Sequence, residues 1–305
     1  MDSSQKSDRG RSQQENRMSE SATIFDSALD VAIRPKVASG ASIGNPRAIR
    51  VLMYHRVLPD GVRGDPHQLW IPLRLFRRQM QFLVRRGYSA ITFSDYVLFR
   101  EGQLNLPRRP VIITFDDAYL ETYTLVFPLL RELGLKAVIF VVADPSIRTS
   151  KWDKEHPGAV SALMSDMQIL EMHAAGFEIG SHSLRHHNLC TLSPSEAWQE
   201  ITRSRMTLEI LLNAPVRTFS YPYGCLNSSV KRSVKEAGYA VAAAAWSGPP
   251  LFGQDEYEIR RSYIPADRWF PILRFAMRLS VPYQLYRWLI WRGRSLGERV
   301  LPRYR

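Results

Sequence analysis

Four short stretches of this chain group residues able to do chemistry. Asp116-Asp117 follows an apolar run, and His182 and His186 stand four residues apart. Tyr221-Pro222-Tyr223-Gly224 forms an aromatic turn, and His55 closes the run RVLMY. Adjacent carboxylates repel unless something positive compensates them, and a metal ion is the usual compensator. They can also divide the work, one binding metal and the other taking a proton. Without a compensator, a bare Asp-Asp reads as a surface turn. Two histidines at this spacing place both imidazoles on one face of a helical turn, within reach of one ion. With a strand-end carboxylate they make a set of two histidines and one carboxylate. Such a set leaves positions open for water and substrate, as a catalytic metal requires.

The elements that must hold these groups are legible in the hydrophobic periodicity. AIRVLMYH, PVIITF, LKAVIFVVA, FEIGSH, VRTFSYP, AVAAAAW and YEIRRSYI read as strands, PVIITF and LKAVIFVVA being continuous apolar runs of the buried type. PLRLFRRQMQFLVRRGY reads as a helix with Leu75, Gln79 and Phe82 and with Leu73, Phe76, Met80, Leu83 and Val84 giving its apolar face, and Gly87 at its end. YLETYTLVFPLLRELG reads as a helix kinked or divided by Pro128. SDMQILEMHAAG has Ser165 as its cap; SPSEAWQEITRSRMTLEILLN opens with Ser193, Pro194 and Glu196 as a capping box. SVKRSVKEAGY is the last helix of the series. About seven alternations predict parallel βα units, hence an open α/β sheet or a β/α barrel. In either case catalytic groups gather beyond the C-terminal ends of the strands. All four stretches sit there.

The chain of 305 residues, 45% hydrophobic, suits one large α/β domain with tails. Residues 1–46, rich in Ser, Gln, Arg, Asp and Gly, predict a disordered leader; 47–266 make the domain. Residues 267–305 form a basic amphipathic segment with nine Arg against Asp267 and Glu298. That segment suits either an anionic membrane surface or packing on the barrel with a solvated basic face. The formal charge of +12 and pI of 9.9 admit an anionic partner. No nucleic-acid motif accompanies the charge, so no nucleic acid is expected. Cys190 and Cys225, without CxxC spacing, read as buried, reduced thiols rather than a disulfide scaffold. The N-terminus shows no apolar signal-peptide core and no apolar run is long enough to span a bilayer. The expected location is therefore the cytoplasm, with peripheral contact at the inner face of the cytoplasmic membrane left open.

TFDD at Thr114–Asp117, HSLRH at His182–His186 and YPYG at Tyr221–Gly224, in that order, resemble the polysaccharide deacetylase family with the NodB-type domain, carbohydrate esterase family 4. The flanks GFEIGSHSLRHHNL and FSYPYG are similar to that family, and the resemblance covers roughly residues 48–265. It implies a distorted (β/α)7 barrel, in agreement with the alternation of units. It implies a metal-dependent hydrolase that removes the acetyl group from an N-acetylhexosamine-containing glycan or lipid-linked sugar in polysaccharide biosynthesis. Asp117, His182 and His186 would hold Zn2+ or another divalent transition metal, and Asp116 would be the general base acting on metal-activated water. The Tyr223 N–H would meet the oxyanion, with Tyr221, Pro222 and Gly224 shaping that turn and Ser183 steadying the histidine loop. Trp246 would line a sugar groove or belong to the core.

Two departures from the family pattern matter. Ser220 stands where the third motif usually opens with an Arg that holds the catalytic Asp; Arg260 and Arg261 are candidate replacements. No histidine follows His187, so the usual C-terminal general-acid His is missing, although an amide leaving group needs a proton. His55 is the candidate acid. A subgroup that includes the deacetylases of biofilm poly-N-acetylglucosamine resembles this chain in placing that His first, in a "YH" like Tyr54-His55. Two alternatives stay open: a deformylase or other non-peptide amide hydrolase on the same fold, and a catalytically silent glycan-binding protein. The retained Asp116, Asp117, His182 and His186 argue against silence.

Overall fold

The computed structural model describes residues 44–62, 69–153, 160–267 and 269–295; residues 1–43 of the expected leader lie outside the described residues. In chain order the elements are β1 (Arg50–Tyr54), β2 (Arg56–Leu58), β3 (Trp70–Pro72), α1 (Leu73–Arg85), β4 (Ser89–Ile91), α2 (Phe93–Arg100), β5 (Pro110–Phe115), α3 (Phe127–Glu132), β6 (Val138–Val141), α4 (Asp166–Ala174), β7 (Glu178–Ser181), α5 (Pro194–Leu212), β8 (Thr218–Ser220), α6 (Ser228–Glu236), β9 (Val241–Ala243), β10 (Ser262–Tyr263), α7 (Pro271–Arg278) and α8 (Val281–Ser295).

The main sheet runs β10-β1-β5-β6-β7-β8-β9, every pairing parallel, with β4 joined to β5 off that path. β10 pairs with β1, and Ile259 just before it bridges Ala243 of β9. Segment 259–263 therefore ties both ends of the path, and the sheet curls into the expected distorted β/α barrel. The last strand is shorter than its sequence suggests, because the backbone just before it bonds to the β9 side instead: the Ile259 N–H donates to the Ala242 carbonyl and the Arg261 N–H to the Ala245 carbonyl. β2 and β3 form a separate parallel pair above β1.

Burial explains the strands. All six residues of β5 are buried, and the hydroxyl of Thr114 donates to the Leu52 carbonyl at 2.8 Å. On α1, Phe76, Gln79, Met80 and Leu83 are buried against the core as expected, the polar Gln79 because it accepts the Tyr54 hydroxyl at 2.9 Å. Val84, expected on that face, is exposed. Gly180 of β7 allows close packing: a Cβ there would lie 2.6 Å from the Phe140 ring and the Thr218 hydroxyl.

The helix punctuation is mostly local. Ser165 and Ser193 cap α4 and α5 through capping boxes with Gln168 and Glu196, and Thr92 caps α2 with Asp95. Pro128 sits where the π-helical Thr122–Val126 turn runs on into α3 through Val126 and Phe127, both in the helical conformation, so it marks a change of helix type. The described fold begins slightly before residue 47. Asn45 caps a 3-10 turn at Pro46–Ala48, and the Gly44 N–H donates to the Leu106 carbonyl. No helix among the described residues is long and apolar enough to cross a membrane.

Candidate active site

The strands deliver their chemistry through abrupt turns. Asp117, Ala118, Ser183, His186 and Tyr223 all have positive φ, and they are five of the seven such non-glycine residues among those described. Each costs of order 1–3 kcal/mol, so the surrounding structure must hold it. Around His182 it does so through hydrogen bonds. Ser183 Oγ accepts the His186 N–H at 3.0 Å, Glu200 accepts the N–H groups of Leu184 and Arg185, and the Ser183 carbonyl accepts the Ala143 N–H. The four-residue spacing is thus not a helical turn, as the sequence suggests. His182 and His186 converge because Ser183 and His186 adopt left-handed backbone conformations.

Asp116 is buried and clamped. Arg261 Nη1 lies 2.6 Å from its Oδ1 and Nη2 lies 2.8 Å from its Oδ2. The same guanidinium donates to Thr114 Oγ1, to Ser220 Oγ at 3.0 Å and, through Nε, to the Ala244 carbonyl. Arg261 therefore supplies the cation absent from position 220, and Ser220 leaves room for it and accepts from it. Arg260 points away, with Nε on the Gly248 carbonyl and its guanidinium over the Trp291 ring. Burial pushes the Asp116 carboxyl up, but Arg261, His182 and His55 together outweigh it and hold the group below the ordinary carboxylate value.

Beside it, Asp117, His182 and His186 are all buried, with one ligand atom from each within 4.8 Å of the others. Asp117 Oδ1 lies 3.1 Å from His186 Nε2 and 3.5 Å from His182 Nε2. His182 Nδ1 contacts the Ser220 carbonyl at 2.8 Å; as that oxygen only accepts, the ring donates through Nδ1 and turns the Nε2 lone pair toward Asp117. Burial pushes His182 down to about 4, so it is neutral, the ligating form, at neutral pH. Burial opposes ionisation of Asp117 as well, but His186 and His182 hold its carboxyl well below the ordinary range. Asp117 Oδ1 is buried with no hydrogen-bond partner, aimed at two imidazole nitrogens. This donor set fits a divalent transition metal.

His55 reaches the same cleft from the end of β1, its Nε2 3.9 Å from Asp116 Oδ2. The cleft has a volume of about 250 Å3, with Met53, Leu69, Trp152, Tyr223 and Trp246 among its walls. Trp246 is thus a wall of the cleft. Tyr221 touches the cleft, but its ring is buried and its hydroxyl donates to the Tyr257 carbonyl, so it braces the turn. Pro222–Gly224 is a 3-10 turn, and a Cβ on Gly224 (φ 64) would meet the Ala245 Cβ at 2.7 Å. His187 turns outward, Nδ1 3.3 Å from Glu200, and is not part of the Asp117–His182–His186 group. Cys190 and Cys225 are half-buried neighbours; a hydrogen bond from Cys190 holds the Cys225 thiol below its ordinary value.

Trp152 and Asp153 carry no signal in the sequence. The Trp152 ring stacks on His186 with centroids 4.4 Å apart, while Tyr223 flanks that imidazole at 4.6 Å. Asp153 accepts the Tyr119 hydroxyl at 2.8 Å, and burial with the nearby Asp117 pushes its carboxyl up. Both come from the short turn Lys151–Asp153 in the β6–α4 connection, where no periodicity marks them.

Residues 103–242 match the family model described as polysaccharide deacetylase. Over 216 residues the chain is 26% identical to YxkH of Bacillus subtilis, whose name carries the same family, with 71% of each chain covered. It is 24% identical over 212 residues to the poly-β-1,6-N-acetyl-D-glucosamine N-deacetylase of Staphylococcus epidermidis, covering 65% of this chain and 69% of that one. Among solved structures, IcaB from Ammonifex degensii superposes with a TM-score of 0.61 at 25% identity, covering 77% of this chain and 98% of that one. A polysaccharide deacetylase from Bacillus cereus shares the fold with a TM-score of 0.61 at 24% identity, over 76% and 69% of the two chains.

Proposed function

We propose, for a chain that belongs to the polysaccharide deacetylase family over residues 103–242, that it hydrolyses the N-acetyl group of an N-acetylhexosamine residue in a glycan with the help of a divalent metal. One observation carries this reading: a buried carboxylate clamped by Arg261 stands one residue before a carboxylate that faces two imidazoles. A pure binding site has no need of an ionised base beside a metal-ligand set.

Asp117, His182 and His186 would hold the metal, with Zn2+ the expected ion. When bound it supplies Lewis-acid chemistry, lowering the pKa of water and polarising the acetyl carbonyl. The remaining work falls to the chain. Asp116 takes the proton of the attacking water on its carboxylate, which Arg261 keeps ionised and aimed. The Tyr223 N–H donates to the oxyanion that develops on the acetyl carbonyl, from a turn held by Pro222 and Gly224. His55 Nε2 delivers a proton to the departing amine nitrogen. The rings of Trp152, Tyr223 and Trp246 offer faces for a sugar ring. The cleft suits about one sugar residue, so the rest of a free or lipid-linked glycan would remain outside.

The relative from Staphylococcus epidermidis makes poly-β-1,6-N-acetylglucosamine the first substrate to test. Zn2+-loaded protein is expected to release acetate from N-acetylated β-1,6-glucosamine oligomers or chitooligosaccharides, and Asp116→Asn is expected not to. No acetate from any acetylated glycan, with metal bound, would sink the reading in favour of a silent binder. Release of formate from N-formyl sugars alone would make the protein a deformylase.

A further inference from the structure

The last two helices carry a surface that the barrel does not use. α7 and α8 dock through Phe275, Leu279 and Gln284, which are buried. Phe275 meets Phe82 edge-on at 5.9 Å, Arg50 Nε donates to the Leu279 carbonyl at 3.0 Å, and Gln284 Nε2 donates to Ser262 Oγ. These contacts account for the inward faces. The outward faces are apolar too. Of the sixteen exposed large hydrophobic residues among those described, eight lie between positions 269 and 289. Trp269 and Phe270 are each 73% exposed and lead into Leu273 and Met277, one helical step apart on α7. On α8, Val281, Leu285 and Leu289 repeat every four residues along one side.

The charge around this surface has one sign. The sequence holds no carboxylate between Asp267 and Glu298, while Arg274, Arg278, Arg287 and Arg292 fall between them. Arg278 is drawn in beside Asp267; Arg274 also reaches Asp267 but stays largely exposed, and Arg287 is exposed. A symmetric contact between two copies through this face would set arginine against arginine. An anionic lipid surface has the complementary chemistry: phosphates for the arginines, and an acyl boundary for Trp269, Phe270 and the leucines. We propose that α7 and α8 form a peripheral docking surface for an anionic phospholipid bilayer.

The attachment adds a direction. Arg50, which opens β1 and holds the Leu279 carbonyl at the end of α7, lies at the N-terminal edge of the barrel, while His55 and Asp116 lie just past the C-terminal ends of β1 and β5. A barrel docked by α7 and α8 would open its cleft away from the lipid, toward glycan extending from the surface. The proposal does not depend on the deacetylase reading, because vesicle binding needs no turnover.

The test is flotation of the full chain with vesicles of phosphatidylglycerol and phosphatidylethanolamine, against vesicles of phosphatidylcholine alone. Selective flotation with the anionic vesicles, weakening as salt rises, is expected. Two variants read the two halves of the surface: Trp269→Ser with Phe270→Ser and Leu273→Ser, and Arg274→Glu with Arg287→Glu. Each should lower the fraction bound about tenfold. Most of the substituted side chains are exposed, and Arg274 gives up only an exposed ion pair to Asp267, which Arg278 still holds, so the thermal midpoint should fall by no more than a few degrees. Failure of the native chain to float with anionic vesicles would overturn the proposal, as would unchanged flotation of both folded variants. So would a dimer in solution that the first variant dissolves, since the surface would then be an interface between copies.

Discussion

The strand-end cleft and the α7–α8 face are built by opposite strategies. In the cleft, side chains from β1, β5, β7, β8 and the β9–β10 connection meet in one buried volume. Three left-handed residues, Asp117, His186 and Tyr223, line it, and Asp116 receives both arms of one guanidinium. On α7 and α8 the apolar residues simply follow helical spacing, and the outward ones have no role in holding the barrel. The cleft is over-determined because its charges are buried, and a buried charge that loses its partner is costly. The helix face is under-determined because its energy is realised only against something outside the chain. Substitutions in the cleft should therefore damage activity or stability severely, and substitutions on the helix face should do neither.

The largest test of that contrast is Asp116→Asn. It should lower kcat/KM for acetate release by roughly 10³-fold while metal binding persists, because the base is lost and the ligands remain. Arg261→Met should cost about 3–5 kcal/mol in denaturant unfolding, since a buried carboxylate is left alone. It should also move the acidic limb of the pH–rate profile upward, because burial then dominates the Asp116 carboxyl. The stability effect has a definite sign. The folded carboxyl lies below its ordinary value of 3.8, so the pair stabilises the fold above that pH, and the contribution is lost as pH falls through the lowered value. Arg261→Met should flatten or reverse that dependence.

His55→Ala should reduce kcat about 10²-fold and leave Zn2+ affinity unchanged; full activity would remove the proton-donor role. Trp152→Ala should weaken Zn2+ binding by roughly tenfold or more, read as a smaller metal-induced rise in thermal midpoint, because the face of His186 loses its support. Trp152→Phe should restore most of it, which a merely destabilised loop would not predict. Leu273→Ser, at the other pole of the comparison, should change stability by no more than about 0.5 kcal/mol and leave hydrolysis of soluble oligomers as it was. A large loss there would mean that the face is part of the fold after all.

Ser220 shows why part of the site stayed hidden from the sequence. Its carbonyl fixes the His182 ring and its hydroxyl accepts Arg261, so one small residue joins the metal-ligand set to the base. On sequence alone it is only a missing arginine. Arg260 and Arg261 could not be told apart either, because adjacent residues differ only in which side of the chain they face. Trp152 and Asp153 were invisible for a related reason: a loop residue reaches a site through the path of its loop, and no local pattern records that path.

What the sequence determined by itself was local or repeated. The apolar runs, the capping boxes of Ser165 and Ser193, and the placing of Asp116, Asp117, His182, His186 and His55 after strands all depend on neighbours within a few residues. Repeated βα units then put every strand end on one side of the sheet, so the site's location followed from their order. Only the tertiary structure decided the rest: Arg261 as the clamp, the left-handed turn that brings the two histidines together, and the outward apolar face of α7 and α8. These depend on contacts between residues far apart in the chain, 145 positions between Asp116 and Arg261 and 229 between Arg50 and Leu279, and on which helix faces the barrel covers. Both are properties of packing, and spacing along the chain does not contain them.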